Sequence, residues 1–313
     1  MNIFSTTLFL ETAGALFHPS RARSIETFEL KGRVLRLLVL DGRTVVRTMP
    51  FYDFPQPLEG RPSGVIRPLA YFPRTVVETM TAAQRVPEPP GFQPSPYIAW
   101  RSVGDWAGYE KFLSTKVVTK ANDSNRQRRK LERDLGPVSF VFDDQRPDVF
   151  NALVRWKSGQ YVSTGVGDMF AKPENVELFR RLMSQKAVVM SSLSAGSTLL
   201  AAHFGSLTDE RLTWWVPAHD PAYSKYSPGR LMLEELIRES HRRSQLEFDF
   251  LIGDEAYKFN YATHNRLIGP VGTPPLGERV VARLKKEAKS LLARSPRVYE
   301  LARALKRRGA RLS

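Results

Sequence analysis

The chain has 313 residues, 42% hydrophobic and 25% charged, with no cysteine and a formal net charge of +15. This composition is globular and long enough for two domains, and the missing cysteines exclude disulfides, thiolate metal sites and cysteine nucleophiles. No apolar run reaches the roughly 20 residues that span a bilayer, and the positive balance favours anionic partners: phosphates, nucleic acid or acidic lipid.

The N-terminal MNIFSTTLFLETAGALF lacks a basic leader and is broken by Glu11, so it reads as ordinary structure rather than a signal peptide. Arg33 to Tyr52 reads as a β-hairpin, two β-rich runs joined by Asp41-Gly42. Pro87–Pro96 is so dense in proline that neither a helix nor a central strand is expected, only a linker or crossover. Asp105 to Leu135 is helical and strongly charged, closing at Gly136. Ser139–Asp144 is a short strand, and Pro147–Lys157 and Glu174–Lys186 are helices. Three strands follow, Ala187–Leu193, Thr198–Ser206 and Arg211–Pro217. After a loop, Pro228 and Gly229 open a helix to about Arg243. Its apolar face holds Met232, Leu233, Leu236 and Ile237, and Glu234, Glu235, Arg238, Glu239 and Arg242 take the other face. Glu247–Gly253 is a strand and Asp254–Phe259 a short helix.

The positive charge concentrates at the end of the chain. From Arg279 onward twelve basic residues are opposed only by Glu287 and Glu300. Two amphipathic helices are expected there, broken at Pro296. They read as a solvated cover on the domain, as a surface for anionic membrane, or as a nucleic-acid contact, for which only Tyr299 offers stacking.

Nucleotide-binding glycine loops and the nucleophile elbow are missing, and the five histidines lack metal-ligand spacing, so no metal is expected. The chemistry-bearing feature is the strand–loop–helix from Trp214 to Arg243. A helix N-terminus presents unpaired N–H groups and partial positive charge, a cradle for a pyrophosphate. The loop AYSKYSPGR sets Ser224, Lys225, Ser227, Gly229 and Arg230 beside it. A plain capped helix reads the same way.

Ala202–Gly205 (AHFG), Trp215–Asp220 (WVPAHD), Tyr226–Gly229 (YSPG) and Phe248–Lys258 (FDFLIGDEAYK), with Trp156-Lys157, Gln160-Tyr161 and Thr164-Gly165 upstream, resemble the GNAT acetyltransferases of the CelD/BcsL type, which are associated with cellulose and exopolysaccharide biosynthesis. The resemblance covers roughly 122–267. It implies an α/β protein with a tandem GNAT-like fold: residues 1–115 a degenerate first half, 116–275 the acyltransferase domain with a mixed, splayed central sheet, and 276–313 the basic helical tail. It implies acetyl-CoA or another acyl-CoA as co-substrate, bound where the sheet splays, with the pyrophosphate on the loop before the Pro228 helix. The usual phosphate loop of that family is replaced here by Tyr226-Ser-Pro-Gly229.

The reaction implied is attack of a neutral amine on the thioester, with an acid for the departing thiolate and backbone N–H groups for the oxyanion. His203 is a candidate general base, or a histidine bonded within the sheet. Asp249 could orient the amine or hold a loop. Tyr257 stands where such enzymes place a tyrosine acid. Lys258 could contact phosphate or pair with Glu255. Trp215 and Asp220 could line the acceptor pocket, or belong to the core. Lys157 and Gln160 share a helical face and could reach the acceptor, or only solvent. The expected acceptor is an amine of an amino sugar or glycan precursor, and the expected location is cytoplasmic, with peripheral contact to an anionic membrane through 279–311. Two rivals are a Fem-like transferase using aminoacyl-tRNA and a non-catalytic basic adaptor at membranes, the latter motivated by the replaced phosphate loop.

Overall fold

The computed structural model describes residues 6–30, 33–46, 67–68, 71–81, 92–116, 120–165, 167–208, 210–272, 276 and 280. The first half opens with helix α1 (Thr7–Phe17), whose N-cap Thr6 accepts the Phe9 N–H at 3.2 Å. Strands β1 (Arg23–Leu30) and β2 (Arg33–Leu40) pair antiparallel, and β3 (Thr44–Val46) continues the meander. Between β2 and β3, Asp41 and Gly42 take φ of 51° and 64°, both positive as the tight hairpin turn requires. The expected hairpin is thus present to Val46, and its remainder lies outside the described residues. β4 (Arg67–Pro68) joins β1 in parallel, giving the order β3-β2-β1-β4.

The next strands, β5 (Tyr71–Thr81) and β6 (Gln93–Ala99), leave the first half and enter a sheet built with the second. Then come α2 (Trp106–Thr115), α3 (Lys120–Leu135), β7 (Val138–Val141), α4 (Pro147–Thr164), α5 (Pro173–Ser184), β8 (Val188–Ala195) and β9 (Thr198–Ser206). The expected third strand is cut in two, β10 (Arg211–Thr213) and β11 (Val216–His219). Helix α6 (Pro228–Arg242), β12 (Glu247–Asp249), α7 (Ala256–Tyr261) and β13 (His264–Gly272) complete the described fold. One sheet runs β11-β9-β8-β7 and the other β10-β12-β6-β13-β5. The helical tail expected from Arg279 lies outside the described residues, apart from Val280.

The two faces carry separate cores. α1, α4 and α5 pack Phe9, Phe150, Leu153 and Phe179 onto Met190, Phe204 and Val216. On the other face α6 buries Leu231, Met232, Leu233, Leu236 and Ile237 against Leu200, Leu212 and Phe248. Each such side chain contributes about 2 kcal/mol of transfer free energy, so the α6 stripe is what seats its N-terminus. Glu239, expected on the solvent face of α6, is 3% exposed and ion-pairs with Arg242 and Arg243. It is a charge the helix buries with its partners.

The proline-rich stretch is a correction. QPSPYIA is strand β6, in the interior of the five-stranded sheet between β12 and β13. Residues facing β13 are Ser95, Tyr97 and Ala99: Ser95 N–H reaches the Asn265 side chain at 2.9 Å, and the Tyr97 carbonyl accepts Thr263 N–H at 3.1 Å. Pro94 and Pro96 both face the other edge, because backbone groups alternate. The regular ladder to β12 stops at Asp249↔Tyr97. Beyond it the prolines only accept, Phe250 N–H giving to Pro96 at 3.1 Å and Gly253 N–H to Pro94 at 2.9 Å. Both missing N–H groups fall past the end of the ladder, which is how a central strand tolerates them.

Candidate active site

A fork in the sheet organises the site. β10 pairs with β12 in parallel from Arg211↔Glu247 to Thr213↔Asp249, and the Trp214 N–H gives one more bond to the Asp249 carbonyl at 2.8 Å. After that point the chains diverge. β11 continues beside β9, Val216↔Phe204 to His219↔Ala201, while the segment after Asp249 follows β6. Leu251 takes φ 61°, a conformation that a non-glycine residue holds only with support, and the Asp249 side chain supplies it by accepting the Leu251 N–H at 2.8 Å. Among the described residues no strand pairs with the edge of β11 that faces away from β9.

The fork is braced from behind by two polar contacts. His203 on β9 is fully buried, its Nε2 is 3.0 Å from the Thr213 carbonyl, and its ring stacks on Trp214 with centroids 5.0 Å apart. Burial pushes its pKa down to about 3, so the imidazole is neutral at pH 7. Gly205 is required here, because a Cβ would stand 2.5 Å from His203 Cε1. On the other prong, Asp249 is 4% exposed and lies 3.2 Å from Arg266 Nη1. Glu247, Arg211 and Arg266 complete a four-charge cluster, with the Arg266 guanidinium 3.7 Å above the Tyr97 ring.

Across the mouth, Trp214 Nε1–H donates to the Tyr257 hydroxyl at 3.0 Å. Tyr257 is 38% exposed, and burial of its hydroxyl side raises its pKa to about 12 despite the indole bond. Lys258, one residue on, is turned inward: its Nζ donates to the Ile252 carbonyl and pairs with Glu255, both at 2.9 Å. Lys157 reaches the same region from α4. It is half-buried, donates to the Gln160 side chain at 3.0 Å, and burial lowers its pKa to about 8, offset partly by Glu255 and reinforced by Lys258.

The end of β11 meets the start of α6. No side chain caps α6, its first turn carries no acidic residue, and N-cap Ser227 sits at φ 54°, ψ 47°. Its leading N–H groups and positive dipole end are therefore uncompensated by side chains. A Cβ on Gly229 would stand 3.4 Å from His219 Nδ1, so the imidazole lies against the first turn. His219 Nε2 is 3.3 Å from the Ser224 hydroxyl. Burial lowers the His219 pKa, Asp220 opposes and Lys157 adds to the shift.

The predicted residues therefore separate into groups. Lys157, Gln160, Tyr257 and Lys258 come together at the mouth, with Ser224, Ser227 and Gly229 at the helix end. Lys225 is exposed, its ammonium 4.9 Å over the Tyr226 ring. Arg230 turns away to Asp123 on α3 at 2.5 Å. Trp215 packs on Phe179 in the core with ring centroids 5.0 Å apart. Asp220 caps the turn that follows it by accepting the Ala222 N–H at 2.9 Å. His203 and Asp249 stand behind the fork. The expected pairing of Lys258 with Glu255 is present, whereas His219 and Trp214 join the site without having been expected there. His219 lies inside the WVPAHD motif, at the last position before the loop, and that place was its only signal.

Residues 119–259 match the acetyltransferase (GNAT) domain family. The match covers less than half of the chain but spans both prongs of the fork, the loop and α6, so this segment is similar to a GNAT acetyltransferase domain and supports acyltransferase activity. The family implies an acyl-CoA donor and an acceptor substrate. Among solved structures, a conserved protein of unknown function from Bacteroides thetaiotaomicron is similar over 58% of this chain, at 11% identity and TM-score 0.39; this chain spans 63% of that protein's length. The C-terminal domain of a protein described as a lysylphosphatidylglycerol synthetase from Agrobacterium fabrum is similar over 65% of this chain and 68% of its own, at 10% identity and TM-score 0.40. No curated protein matches. Among the described residues no helix is long and apolar enough to cross a membrane, and no group of acidic, histidine or cysteine side chains is placed to hold a metal ion.

Proposed function

We propose that the protein transfers an acyl group, acetyl in the first instance, from acyl-CoA to an amine of an amino sugar or polysaccharide precursor. The observation that carries this reading is the fork: two parallel strands that part at Trp214 and Asp249, with an uncapped helix N-terminus at the open end of one prong. The donor's pantetheine arm fits between the prongs, and its pyrophosphate fits the N-terminus of α6 with Ser224 and Ser227 beside it. Gly229 keeps that approach open on one side and His219 closes it on the other.

The chemistry is a direct transfer. The amine lone pair attacks the thioester carbon, and the His219 N–H, the one that β11 presents on its free edge beside Pro217, stabilises the oxyanion. The C–S bond then breaks, Tyr257 gives its proton to the thiolate, and the amine proton passes to water. Tyr257 suits the role of acid because its raised pKa keeps it protonated across the working range. His203 and Asp249 are positioning residues in this reading: one backs Trp214, the other shapes the turn at Leu251. The CelD/BcsL resemblance supports a glycan amine as acceptor, and an acyl-CoA donor supports a cytoplasmic reaction. The acyltransferase domain is assigned to 116–275 and the first half to support, since β5 and β6 complete the sheet.

The test is calorimetric titration with acetyl-CoA of the wild type and of Gly229→Trp, whose indole would fill the approach to α6. Micromolar binding that the variant loses supports the reading. Absence of binding by wild type to acetyl-CoA and to longer acyl-CoAs would overturn it.

A further inference from the structure

The mouth of the fork has an imbalance of charge that the transfer reaction itself does not use. Lys157 is half-buried, and its one hydrogen bond is to a neutral amide, Gln160 Oε1. Among the described residues it makes no ion pair. Lys258 is 5% exposed, tied to the Ile252 carbonyl and to Glu255. Glu255 is the one carboxylate whose field is felt at Lys157, and with its side chain 53% exposed much of that field is lost to water. Two ammonium groups therefore share one solvated carboxylate, beside the His219 imidazole and the positive end of α6. The loop is shaped around this arrangement: Gly253 holds φ 144°, and a Cβ there would come 2.6 Å from Lys258 Nζ.

A partly desolvated cation without a counter-charge is costly. We propose that the acceptor is an anionic amine, an amino compound bearing a carboxylate or a phosphate, whose anionic group is held by Lys157 with Lys258 behind it. The inference rests on the acyltransferase reading and names the class of acceptor the same fork takes. It also explains how the nucleophile is kept reactive. An ammonium entering between two lysines is disfavoured, so the acceptor nitrogen is held in its neutral, attacking form, while its anionic group supplies the attraction.

The experiment uses full-length protein saturated with acetyl-CoA and follows thiol release with matched acceptors: glycinamide, glycine and aminomethylphosphonate, and glucosamine against glucosamine 6-phosphate. The expected result is kcat/KM at least about 10-fold higher for the anionic members, with the carboxylate and phosphonate arms separating the two anion classes. Lys157→Met should bring that ratio to about 1 through KM, with the acetyl-CoA Kd unchanged, and Lys157→Arg should restore it. Equal use of neutral and anionic amines, or a preference that survives Lys157→Met, overturns the proposal and leaves the acyltransferase reading intact. Should no member of the panel be acetylated, inorganic phosphate is titrated into the acetyl-CoA-loaded protein. Binding by wild type that Lys157→Met loses supports the proposal, and no binding overturns it. Failure to bind acetyl-CoA at all removes the underlying reading and the proposal with it.

Discussion

Replacing Arg266 by methionine tests whether the four-charge cluster holds the fork. Arg266 is 6% exposed and serves both carboxylates, Asp249 at 3.2 Å and Glu247 more closely, while stacking on Tyr97 at 3.7 Å. Arg211 and Arg266 balance Glu247 and Asp249, so removing one guanidinium leaves a buried excess negative charge. Breaking a buried pair in this way costs about 3–5 kcal/mol, which at about 2–4 °C per kcal/mol corresponds to a Tm lowered by about 10 °C. The pH dependence carries a sign. Burial pushes the Glu247 carboxyl up, and Arg266 and Arg211 more than reverse it, so its folded pKa lies below the ordinary value. The stabilisation is therefore full above about pH 4.5 and is lost as pH falls through the folded pKa. In Arg266→Met the stranded carboxylates gain by protonation, so the gap between variant and wild type should be widest at pH 7 and narrow towards pH 4. Urea unfolding followed by tryptophan fluorescence measures it. Adding Asp249→Asn to Arg266→Met should recover part of the loss, because the pair is coupled. A loss under about 1 kcal/mol at pH 7, or a double variant no more stable than the single one, would refute the reasoning.

Tyr257→Phe removes the proposed acid and one end of the Trp214 contact. The expected effect is a fall in kcat of about 10²-fold with the acetyl-CoA Kd within twofold, read from steady-state kinetics and calorimetry; an unchanged kcat removes Tyr257 from the chemistry. Because burial raises the Tyr257 pKa to about 12, wild-type activity should show no alkaline limb from this hydroxyl below pH 10. His203→Gln addresses the histidine behind the fork. Its folded pKa of about 3 lies below the unfolded value near 6.5, so the unfolded state takes up the proton first and wild-type stability falls as pH drops from 6.5. The slope is about 1.4 kcal/mol per pH unit, or about 2 kcal/mol between pH 6.5 and pH 5. The glutamine variant should lack that component, seen in denaturant midpoints at the two pH values, while the pH profile of kcat near neutrality stays the same. A kcat profile that loses an ionisation near pH 7 in this variant would restore His203 as a base.

Much of the second half could be read from the chain because its determinants are local. The periodicity of Met232, Leu233, Leu236 and Ile237 finds α6, Pro228 marks its first turn, and alternation and turn residues find β8 and β9. The functional motifs were legible for the same reason: WVPAHD, YSPG and FDFLIGDEAYK are contiguous, and the fork is assembled from their ends. Charge on α6 was less legible: Glu239 lies one turn from Leu236 and so at the margin of the apolar face, but the spacing says nothing of Arg243 folding back onto it.

Determined by the sequence alone were the succession of strands and helices from Ala187 to Phe259, the apolar face of α6 and the set of polar residues near its start, each of which depends on residues within a turn or two along the chain; that Ser227 leaves α6 uncapped was decided by the structure. Only the tertiary structure decided that the prolines of QPSPYIA lie in a central strand, because their safety depends on where the partner β12, some 150 residues away, stops pairing. It also decided which candidates share a space. His203 and Tyr257 are both reasonable proton carriers in isolation. Burial by α6 and the sheet makes one a neutral brace, whereas the divergence of β11 from β12 leaves the other at the mouth, and neither burial nor divergence is a property of any short stretch of sequence.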